Sequence, residues 1–330
     1  YGVDSITADT IEDMDAAFHA IPREGRFKYI LKNLCKIQCA FTCMEYHPED
    51  YDRELFVPVR ALDDLFAPEK PGMIAELEYK SGIHITTFES YARAVDRYVD
   101  WLCHDKNCKV FKLFSAYGRS LCFPHSDRHK AEKDFQHFCS SFFYRREWSD
   151  ETENKRCEMG EHFQNYMLHR VLTRLEPYGV TVQVHTGIQE GNYNRISNSD
   201  PMLMEDLFPV YRGIRFVLFH MSYPFTSHAI ALTKHHPNVY LDLCWAHIIS
   251  PNAAVNAMLE FYDTAPWNKI CGFGGDSTSI DIEDRNLEVA RENIAEFLTV
   301  LNKRDRIDMS GAKELAWRLL WKNPKDLLMT

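Results

Sequence analysis

The C-terminal half of the chain alternates short apolar runs with longer amphipathic stretches. Four runs have the continuous Val, Ile, Leu and Phe content of strands buried on both faces, which is typical of parallel sheets. These predicted strands are Thr181–His185, Arg215–His220, Val239–Leu243 and Lys269–Gly274. Counted from residues 181, 215, 239 and 269, successive strands start 34, 24 and 30 residues apart, which suits strand–helix–strand units.

Apolar residues at helical spacing predict helices beside these strands. Phe163, Met167 and Val171 recur every four residues, and the helix that they predict ends at the breaker Pro177–Gly179. After the last strand, the apolar positions from Leu287 to Leu301 are spaced three and four residues apart. They form one stripe that can lie on a sheet.

The N-terminal half continues the pattern less regularly. Thr86 and Glu89 have the spacing of a capping box, which predicts a helix from there to about His104. Three further strands are predicted at Ile37–Cys43, Leu55–Val59 and Val110–Ser115. The polar, aromatic stretch at about 117–154 is too long for a plain connection, and we predict an insertion or lid over the barrel mouth there.

Seven parallel strands are one fewer than a closed (β/α)8 TIM barrel contains. We favour such a barrel, formed by residues 1–330 as a single domain, because no glycine-rich dinucleotide-binding turn follows any strand. A doubly wound open sheet is the alternative. The missing strand is most simply the first one. The sequence begins at Tyr1 rather than Met, which favours truncation over loss of that strand.

Composition and charge exclude several classes of protein. Lys and Arg number 38 against 48 Asp and Glu, so the net charge is −10, and no basic block is present to bind nucleic acid. No apolar run approaches the roughly 18 residues that span a bilayer. We therefore expect a small-molecule substrate and neither nucleic-acid nor membrane partners; a homo-oligomer stays open.

The ten cysteines are too sparse for a disulfide scaffold in 330 residues. Cys35, Cys39 and Cys43 recur every four residues, but the segment is predicted as a strand and no Cys-x-x-Cys occurs. Packing in a core or an interface is therefore the better interpretation than a metal site. The free thiols favour a reducing compartment, and we predict a cytoplasmic protein.

Candidate chemistry lies where the predicted strands end. His185, His220 and Asp276 occupy matching offsets at the carboxyl ends of three strands, the end at which α/β barrels place their active sites. Imidazole and carboxylate bind Zn²⁺ or a similar divalent ion, which lowers the pKa of water towards 7. The two histidines could instead be hydrogen-bonded core residues, and Asp276 could be a helix N-cap.

Four motifs together resemble the amidohydrolase superfamily: Val182–Gly187, Leu218–Phe225, Asn238–Leu243 and Gly274–Ser277. The branch with the greatest similarity is the amidohydrolase-related group. That group includes the amidohydrolase-like domain fused to glutamine synthetase in fungi, relatives of uronate isomerase, and metal-dependent decarboxylases. The segment Trp321–Leu328 also resembles the closing helix of the family.

The resemblance implies a metal-dependent barrel with one His after strand 5, one His after strand 6 and an Asp after strand 8. These positions match His185, His220 and Asp276. By resemblance, His185 and Asp276 are metal ligands, and His220 is a general acid/base or a ligand to a second ion. Asp276 would also orient the attacking water. The expected cofactor is a divalent metal, with Zn first and Mn or Fe as alternatives.

One departure from the family bears on this site. The family's first strand ends in His-x-His, which does not occur in these 330 residues, so the chain carries a partial metal site. His125 and His129 stand in a loop with the wrong spacing. His235 and His236 precede a proline at a predicted helix end and are expected to be solvated.

Further residues near the predicted mouth are weaker candidates. Lys112 lies inside a strand, where it is either a carboxylated lysine that bridges two ions, as in binuclear relatives, or a lysine held by a salt bridge. Tyr117 and Arg119 resemble a Tyr-Arg element of the branch. An arginine fork there would bind a substrate carboxylate, with a structural ion pair as the alternative. Trp245 could form the pocket floor or pack in the core.

Three acidic or imidazole groups complete the candidates. Glu45 and His47 follow the predicted second strand of the barrel, and Glu283 is expected to begin a helix, where a carboxylate suits the macrodipole.

We therefore expect a metal-dependent hydrolase in which activated water attacks a carbonyl of a small polar, carboxylated substrate. A metal-dependent isomerase or decarboxylase is one alternative, because loops decide the chemistry on this fold. A non-catalytic regulatory or interaction module is the other.

Overall fold

The computed structural model describes residues 5–20, 24–43, 51–143 and 159–329. It contains one sheet of seven parallel strands in sequential order, β1 to β7. The strands are β1 Ala40–Cys43, β2 Phe56–Ala61, β3 Val110–Leu113, β4 Thr181–Val184, β5 Arg215–Leu218, β6 Val239–Asp242 and β7 Ile270–Cys271. All seven predicted strands are present, most of them shortened by a residue or two at the carboxyl end.

Helices connect the strands and cover the outside of the sheet. In the described ranges they are α1 Ile11–Ala20, α2 Arg26–Lys28, α3 Asp63–Phe66, α4 Pro71–Ser81, α5 Phe88–Asp100, α6 Arg128–Phe143, α7 Glu161–Leu175, α8 Leu207–Val210, α9 Thr226–His235, α10 Ala246–Ile249, α11 Pro251–Thr264, α12 Glu283–Lys303, α13 Met309–Trp317 and α14 Asn323–Leu328. Wider π-helical turns continue α2 over Tyr29–Leu34, α5 over Trp101–Asp105 and α13 over Arg318–Lys322. None of these helices is long and apolar enough to cross a bilayer.

The sheet curves into a barrel. Val59 of β2, Val217 of β5 and Cys271 of β7 share one interior cluster, which strands so far apart in a flat sheet could not form. The sequential strand order also excludes the doubly wound alternative, whose order reverses at a switch point. No strand pairing joins β7 to β1 in the described part of the chain. That part therefore forms an α/β barrel of seven strands that strand pairing does not close between β7 and β1.

The C-terminal segment closes two parts of this barrel. The amide of Gly272, just after β7, donates to the Leu319 carbonyl over 2.8 Å, and the side chain of Asn323 donates to the Ile270 carbonyl over 2.8 Å. These contacts satisfy polar groups on the side of β7 that faces away from β6. Leu327 and Leu328 pack into the lower, amino-terminal end of the barrel, sealing it with apolar side chains.

Two local predictions need correction. The capping box of α5 is formed by Thr87 and Ser90, not by Thr86 and Glu89, because Thr87 is the last extended residue and its hydroxyl accepts from the Ser90 amide. Cys35, whose segment is predicted as a strand, lies instead at the end of a helical turn. Its amide donates to the Ile30 carbonyl, so helical hydrogen bonding continues past residue 34, and β1 starts only at Ala40.

Two predicted helix ends are confirmed, and the three cysteines predicted to pack differ in their exposure. α7 ends as expected at Gly179, whose φ of 60° is left-handed, and Glu283 begins α12. Cys35 is buried, Cys39 is half-buried and Cys43 is exposed.

The described part of the predicted insertion divides into two. Tyr117 lies at the mouth, whereas α6 packs on the barrel flank, with the Phe135 ring 5.5 Å from Tyr91 of α5 and 5.8 Å from Phe163 of α7. Residues 144–154 of the insertion lie outside the described residues, so the lid stays a prediction.

Candidate metal centre at the barrel mouth

The chain turns sharply where it leaves four adjacent strands. Gly187 after β4, His220 after β5, Trp245 after β6 and Asp276 after β7 have φ values of 74°, 61°, 62° and 52°. Non-glycine residues rarely adopt this left-handed conformation, and such strain clusters at functional sites. Each turn holds a side chain or a loop at the carboxyl end of the barrel.

Gly187 shows why one of these turns needs glycine. A Cβ atom at this position would lie 2.3 Å from the Tyr223 carbonyl oxygen and 2.4 Å from the Ser222 carbonyl carbon. The β4 loop therefore approaches the β5 loop as closely as two backbones can. This contact sets the position of His185 relative to His220.

The imidazoles of His185 and His220 face each other, and both are buried. Nδ1 of His185 lies 3.1 Å from Nε2 of His220. The remote nitrogens are already used: Nε2 of His185 lies 3.0 Å from the Ile188 carbonyl, and Nδ1 of His220 lies 2.9 Å from the Cys244 carbonyl. A carbonyl can only accept, so each neutral ring carries its single N–H on the remote nitrogen. The two facing nitrogens then both present lone pairs.

Asp276 completes this group from β7. One carboxylate oxygen lies 3.7 Å from Nε2 of His220, and the side chain is 45% exposed at the mouth. Asp276 is not a helix N-cap, because the next α-helix begins only at Glu283. The two imidazoles and this carboxylate thus come together, as the strand-end pattern predicts.

Burial keeps both imidazoles neutral. It lowers the pKa of His185 to about 3, helped by His220 and the positive charge of Lys112, and it lowers the pKa of His220 to about 3 with a further contribution from Lys112. A neutral imidazole is the form that binds a metal.

Two further buried ionisable groups lie below the imidazoles. Lys112 of β3 has its Nζ 3.2 Å from the centroid of the Phe219 ring, and burial lowers the pKa of this lysine. Among the described residues, no carboxylate lies within 4.0 Å of Nζ of Lys112, so the expected salt bridge is not found in that part of the chain. Asp242 at the end of β6 accepts from the Cys244 amide over 2.7 Å, and burial raises the pKa of Asp242 to about 7.

Aromatic side chains hold the imidazoles in place. The Tyr117 ring lies 4.6 Å from that of His185, and the Trp245 ring meets His220 edge-on at 5.5 Å. The Tyr117 hydroxyl accepts from the Glu190 amide, and the side chain stays partly exposed. Both predicted substrate-binding aromatics therefore line the site.

Arg119 lies elsewhere and is occupied. Its guanidinium donates to the carbonyls of Ser120 and Cys122 and to the side-chain oxygens of Gln164 and Asn165. These bonds use most of the guanidinium donors. They also tie the loop after β3 to α7. We therefore leave Arg119 out of the site and treat it as structural.

Gln189 was not among the predicted site residues. Its side-chain nitrogen donates to the Ala116 carbonyl over 2.6 Å, next to Tyr117, which fixes the orientation of the amide. The amide oxygen is buried and has no hydrogen-bond partner among the residues that the structure describes. This unmet acceptor beside Tyr117 and His185 can take a hydrogen bond from a ligand hydroxyl or N–H.

The remaining candidates stay away from the described centre. His125 stacks on His169 with ring centroids 4.0 Å apart on the barrel flank. His129 begins α6, His235 is exposed, and His236 is half-buried against Phe208. Glu45 and His47 lie outside the described residues.

The donor set fits a divalent cation. Two lone pairs 3.1 Å apart with no proton between them repel each other, and a shared cation removes that repulsion. Ligands of a tetrahedral Zn²⁺ with bonds of about 2.0–2.2 Å lie roughly 3.3 Å apart. The His185–His220 and His220–Asp276 separations of 3.1 Å and 3.7 Å bracket that value. His220 therefore lies at ligand distance from both His185 and Asp276, whereas His185 is not in the group of donors that all lie within 4.8 Å of one another.

Three residues near the site were not among the candidates predicted from the sequence. Cys244, Asp242 and Gln189 lie at strand ends or in loops whose side-chain directions only the fold reveals. For Asp242 and Cys244 a signal was available, since alternate residues of β6 point into the barrel.

Comparison with known proteins adds a family similarity. A family model described as Amidohydrolase matches residues 148–290, which include all three candidate ligands. This similarity covers less than half of the chain. The chain is also 28% identical over 191 residues to Protein fluG of Emericella nidulans, a match that covers 56% of this chain and 21% of that protein. The chain therefore spans about a fifth of this curated relative.

Solved structures support the barrel fold of this chain. A protein from Lactobacillus casei assigned as a metal-dependent hydrolase superposes with a TM-score of 0.72 at 18% identity, covering 93% of this chain and 78% of that one. The uronate isomerase of Thermotoga maritima gives a TM-score of 0.73 at 14% identity, covering 98% and 74%. At these identities the likeness establishes the fold alone.

Proposed function

We propose that this protein is a metal-dependent hydrolase of small polar substrates, with His185, His220 and Asp276 as metal ligands at the barrel mouth. The observation that carries the proposal is the pair of facing imidazole lone pairs. Core histidines that serve packing alone would direct an N–H at an acceptor rather than oppose two acceptors.

A bound divalent cation, Zn²⁺ first among the candidates, supplies a Lewis acid that polarises a substrate carbonyl and lowers the pKa of water. Asp276 is the ligand best placed to accept a proton, because it is the exposed member of the group. The neutral, buried His220 suits ligation better than general acid catalysis, since its pKa of about 3 leaves no proton to donate near neutral pH.

The substrate would enter beside the exposed faces of Tyr117 and Asp276. Because Arg119 is engaged by main-chain and amide oxygens, Lys112, the lysine below the imidazoles, is our candidate among the described residues for pairing with a substrate carboxylate. Trp245 would form one wall.

Isomerisation of a polyhydroxy substrate is a second candidate, favoured by one observation. The unmet acceptor of Gln189 can hold a substrate hydroxyl, a group that sugar acids carry in number. The structural similarity to uronate isomerases is compatible with this candidate.

Metal binding tests the proposal directly. Titration of metal-free protein with Zn²⁺ in a calorimeter should give about one ion per chain. His185→Ala and His220→Ala should each weaken binding by at least about 100-fold, because each removes a ligand of a small set. His228→Ala is the matched control, since this exposed histidine pairs with Asp200 away from the mouth, and it should bind like the wild type.

A wild type that takes up no Zn²⁺, Mn²⁺ or Fe²⁺ near neutral pH would contradict the proposal. With metal bound, a panel of amides, esters and lactones beside a panel of uronic acids separates hydrolysis from isomerisation through the products formed.

A further inference from the structure

The thiol of Cys244 lies within the same group of ligands. Its Sγ, a ring nitrogen of His220 and a carboxylate oxygen of Asp276 all lie within 4.8 Å of one another. Cys244 is buried at the end of β6, on the strand next to each of the other two. In the described part of the chain this is the one group of three His, Cys, Asp or Glu side chains whose ligand atoms all lie within 4.8 Å of one another, and His185 reaches it only through His220.

The backbone holds this thiol in place. The Cys244 carbonyl accepts from Nδ1 of His220 over 2.9 Å, and its amide donates to Asp242 over 2.7 Å. Gly274 leaves room for the sulfur, because a Cβ atom there would lie 2.7 Å from Sγ. The residue that orients His220 through its carbonyl therefore also presents a sulfur atom to the shared space.

We propose that Cys244 is a thiolate ligand of the metal, beside His220 and Asp276, and that the site therefore prefers Zn²⁺ over Mn²⁺ and Mg²⁺. This inference rests on the proposed metal centre. Thiolates are soft ligands that select Zn²⁺, whereas carboxylate and water ligands suit Mn²⁺ and Mg²⁺. On binding, the S–H bond of Cys244 breaks, a metal–sulfur bond forms, and the thiol proton leaves to solvent without any change of oxidation state.

Cys271 shows what a cysteine with a packing role looks like in this barrel. It is also buried, on the neighbouring strand β7, and it shares one apolar cluster with Cys244, Val59 and Val217. It is not part of the ligand group. Cys271 is therefore the matched control for Cys244.

Cobalt substitution tests the inference with a readout other than activity. Metal-free protein titrated with Co²⁺ should develop the near-ultraviolet charge-transfer band of a cobalt–thiolate bond, saturating at about one ion per chain. Cys244→Ser should lose the band, and Cys271→Ser should keep it. A wild type without the band, or a Cys244→Ser protein that retains it, would overturn the inference.

A second measurement needs no variant, in case Cys244→Ser does not fold. X-ray absorption at the zinc edge of the wild type should show one sulfur scatterer at about 2.3 Å. Its absence from a protein that binds one Zn²⁺ would refute the thiolate ligand and leave the proposed metal centre standing. Failure to bind either Zn²⁺ or Co²⁺ would refute both.

The metal preference gives a third comparison. Wild type should bind Zn²⁺ at least about 100-fold more tightly than Mn²⁺, and Cys244→Ser should reduce that ratio about tenfold or more while Cys271→Ser leaves it unchanged. Equal ratios in all three proteins would count against the thiolate.

Discussion

The two ends of this barrel differ in the polarity of the side chains that fill them. At the lower end, Leu327 and Leu328 share one apolar cluster with Val59, Val110 and Val217, and the Thr181 hydroxyl donates to the Leu327 carbonyl. At the upper end the same strands lead to buried polar side chains, among them Lys112, His185 and His220, and to left-handed turns.

The difference between the ends indicates which residues contribute to stability and which to the proposed metal site. Along β3, Val110 packs below and Lys112 points into the upper layer two residues later. One strand thus supplies stability at one end and charge at the other. Barrel enzymes in general separate stability and chemistry in this way. Variants at the two ends should accordingly separate stability from metal binding.

The largest effect is expected from Gly187→Ala at the upper end. The new Cβ would overlap the Ser222–Tyr223 backbone, so the β4 and β5 loops must move apart. We expect a loss of about 3 kcal/mol or more in the free energy of unfolding and a weakened metal centre, measured by urea denaturation and Zn²⁺ calorimetry.

Gly191→Ala is the control for this variant. Gly191 is also left-handed, with a φ of 87°, but a Cβ there meets nothing closer than an Asn194 side-chain nitrogen at 3.8 Å. It should cost only about 1 kcal/mol, the penalty of the backbone conformation. Equal losses in the two variants would mean that the close approach of the loops is unimportant.

The second-largest effect is expected from Leu327→Ala, which should lower the free energy of unfolding without changing metal binding. Leu327 is nearly fully buried in the lower cluster, so its truncation leaves a cavity that costs about 2–4 kcal/mol. Zn²⁺ affinity should stay within about twofold of wild type. Met329→Ala, at an exposed position two residues on, should change stability by less than about 0.5 kcal/mol. A large loss of metal affinity in Leu327→Ala would show that the ends are not independent.

The smallest effect concerns Asp63, beside the upper end of β2. Burial raises the pKa of this carboxyl from 3.8 to about 6, although the Phe114 amide and the Ser115 hydroxyl donate to it. Between about pH 4 and pH 6 the folded protein therefore holds a proton that the unfolded chain has lost. Stability from this group falls as the pH rises through that window and is constant above it.

Asp63→Asn removes this titration. The stability of wild type relative to Asp63→Asn should fall by about 1 kcal/mol from pH 4 to pH 7, a modest change because the residue is only half-buried. Thermal melts across the range measure it. Parallel stability profiles of wild type and Asp63→Asn across this range would disprove the assignment.

The strands and the imidazole pair could be predicted because both depend on local pattern. Continuous apolar runs mark strands buried on two faces, and His185, His220 and Asp276 follow such runs directly. Parallel strands bring their carboxyl ends together, so equal offsets become proximity.

What the sequence could not reveal depends on side-chain direction and competing partners. Arg119 follows a strand as closely as Tyr117 does, but amide and carbonyl oxygens on α7 and in its own loop take up its guanidinium. The sequence likewise does not indicate that Lys112 has no carboxylate partner among the described residues, because that depends on which groups share the interior layer. The thiol of Cys244 joins the metal ligands only because Gly274 stands opposite it.

The bonds from Leu319 and Asn323 to β7 have a consequence for handling this protein. They occupy the outward-facing amide of Gly272 and carbonyl of Ile270, which would otherwise offer a template for a strand of another molecule. Shortening the polypeptide before residue 319 would uncover that template together with the apolar floor beneath it. We therefore expect the segment from residue 319 onward to prevent association through the edge of β7 as well as to stabilise the fold.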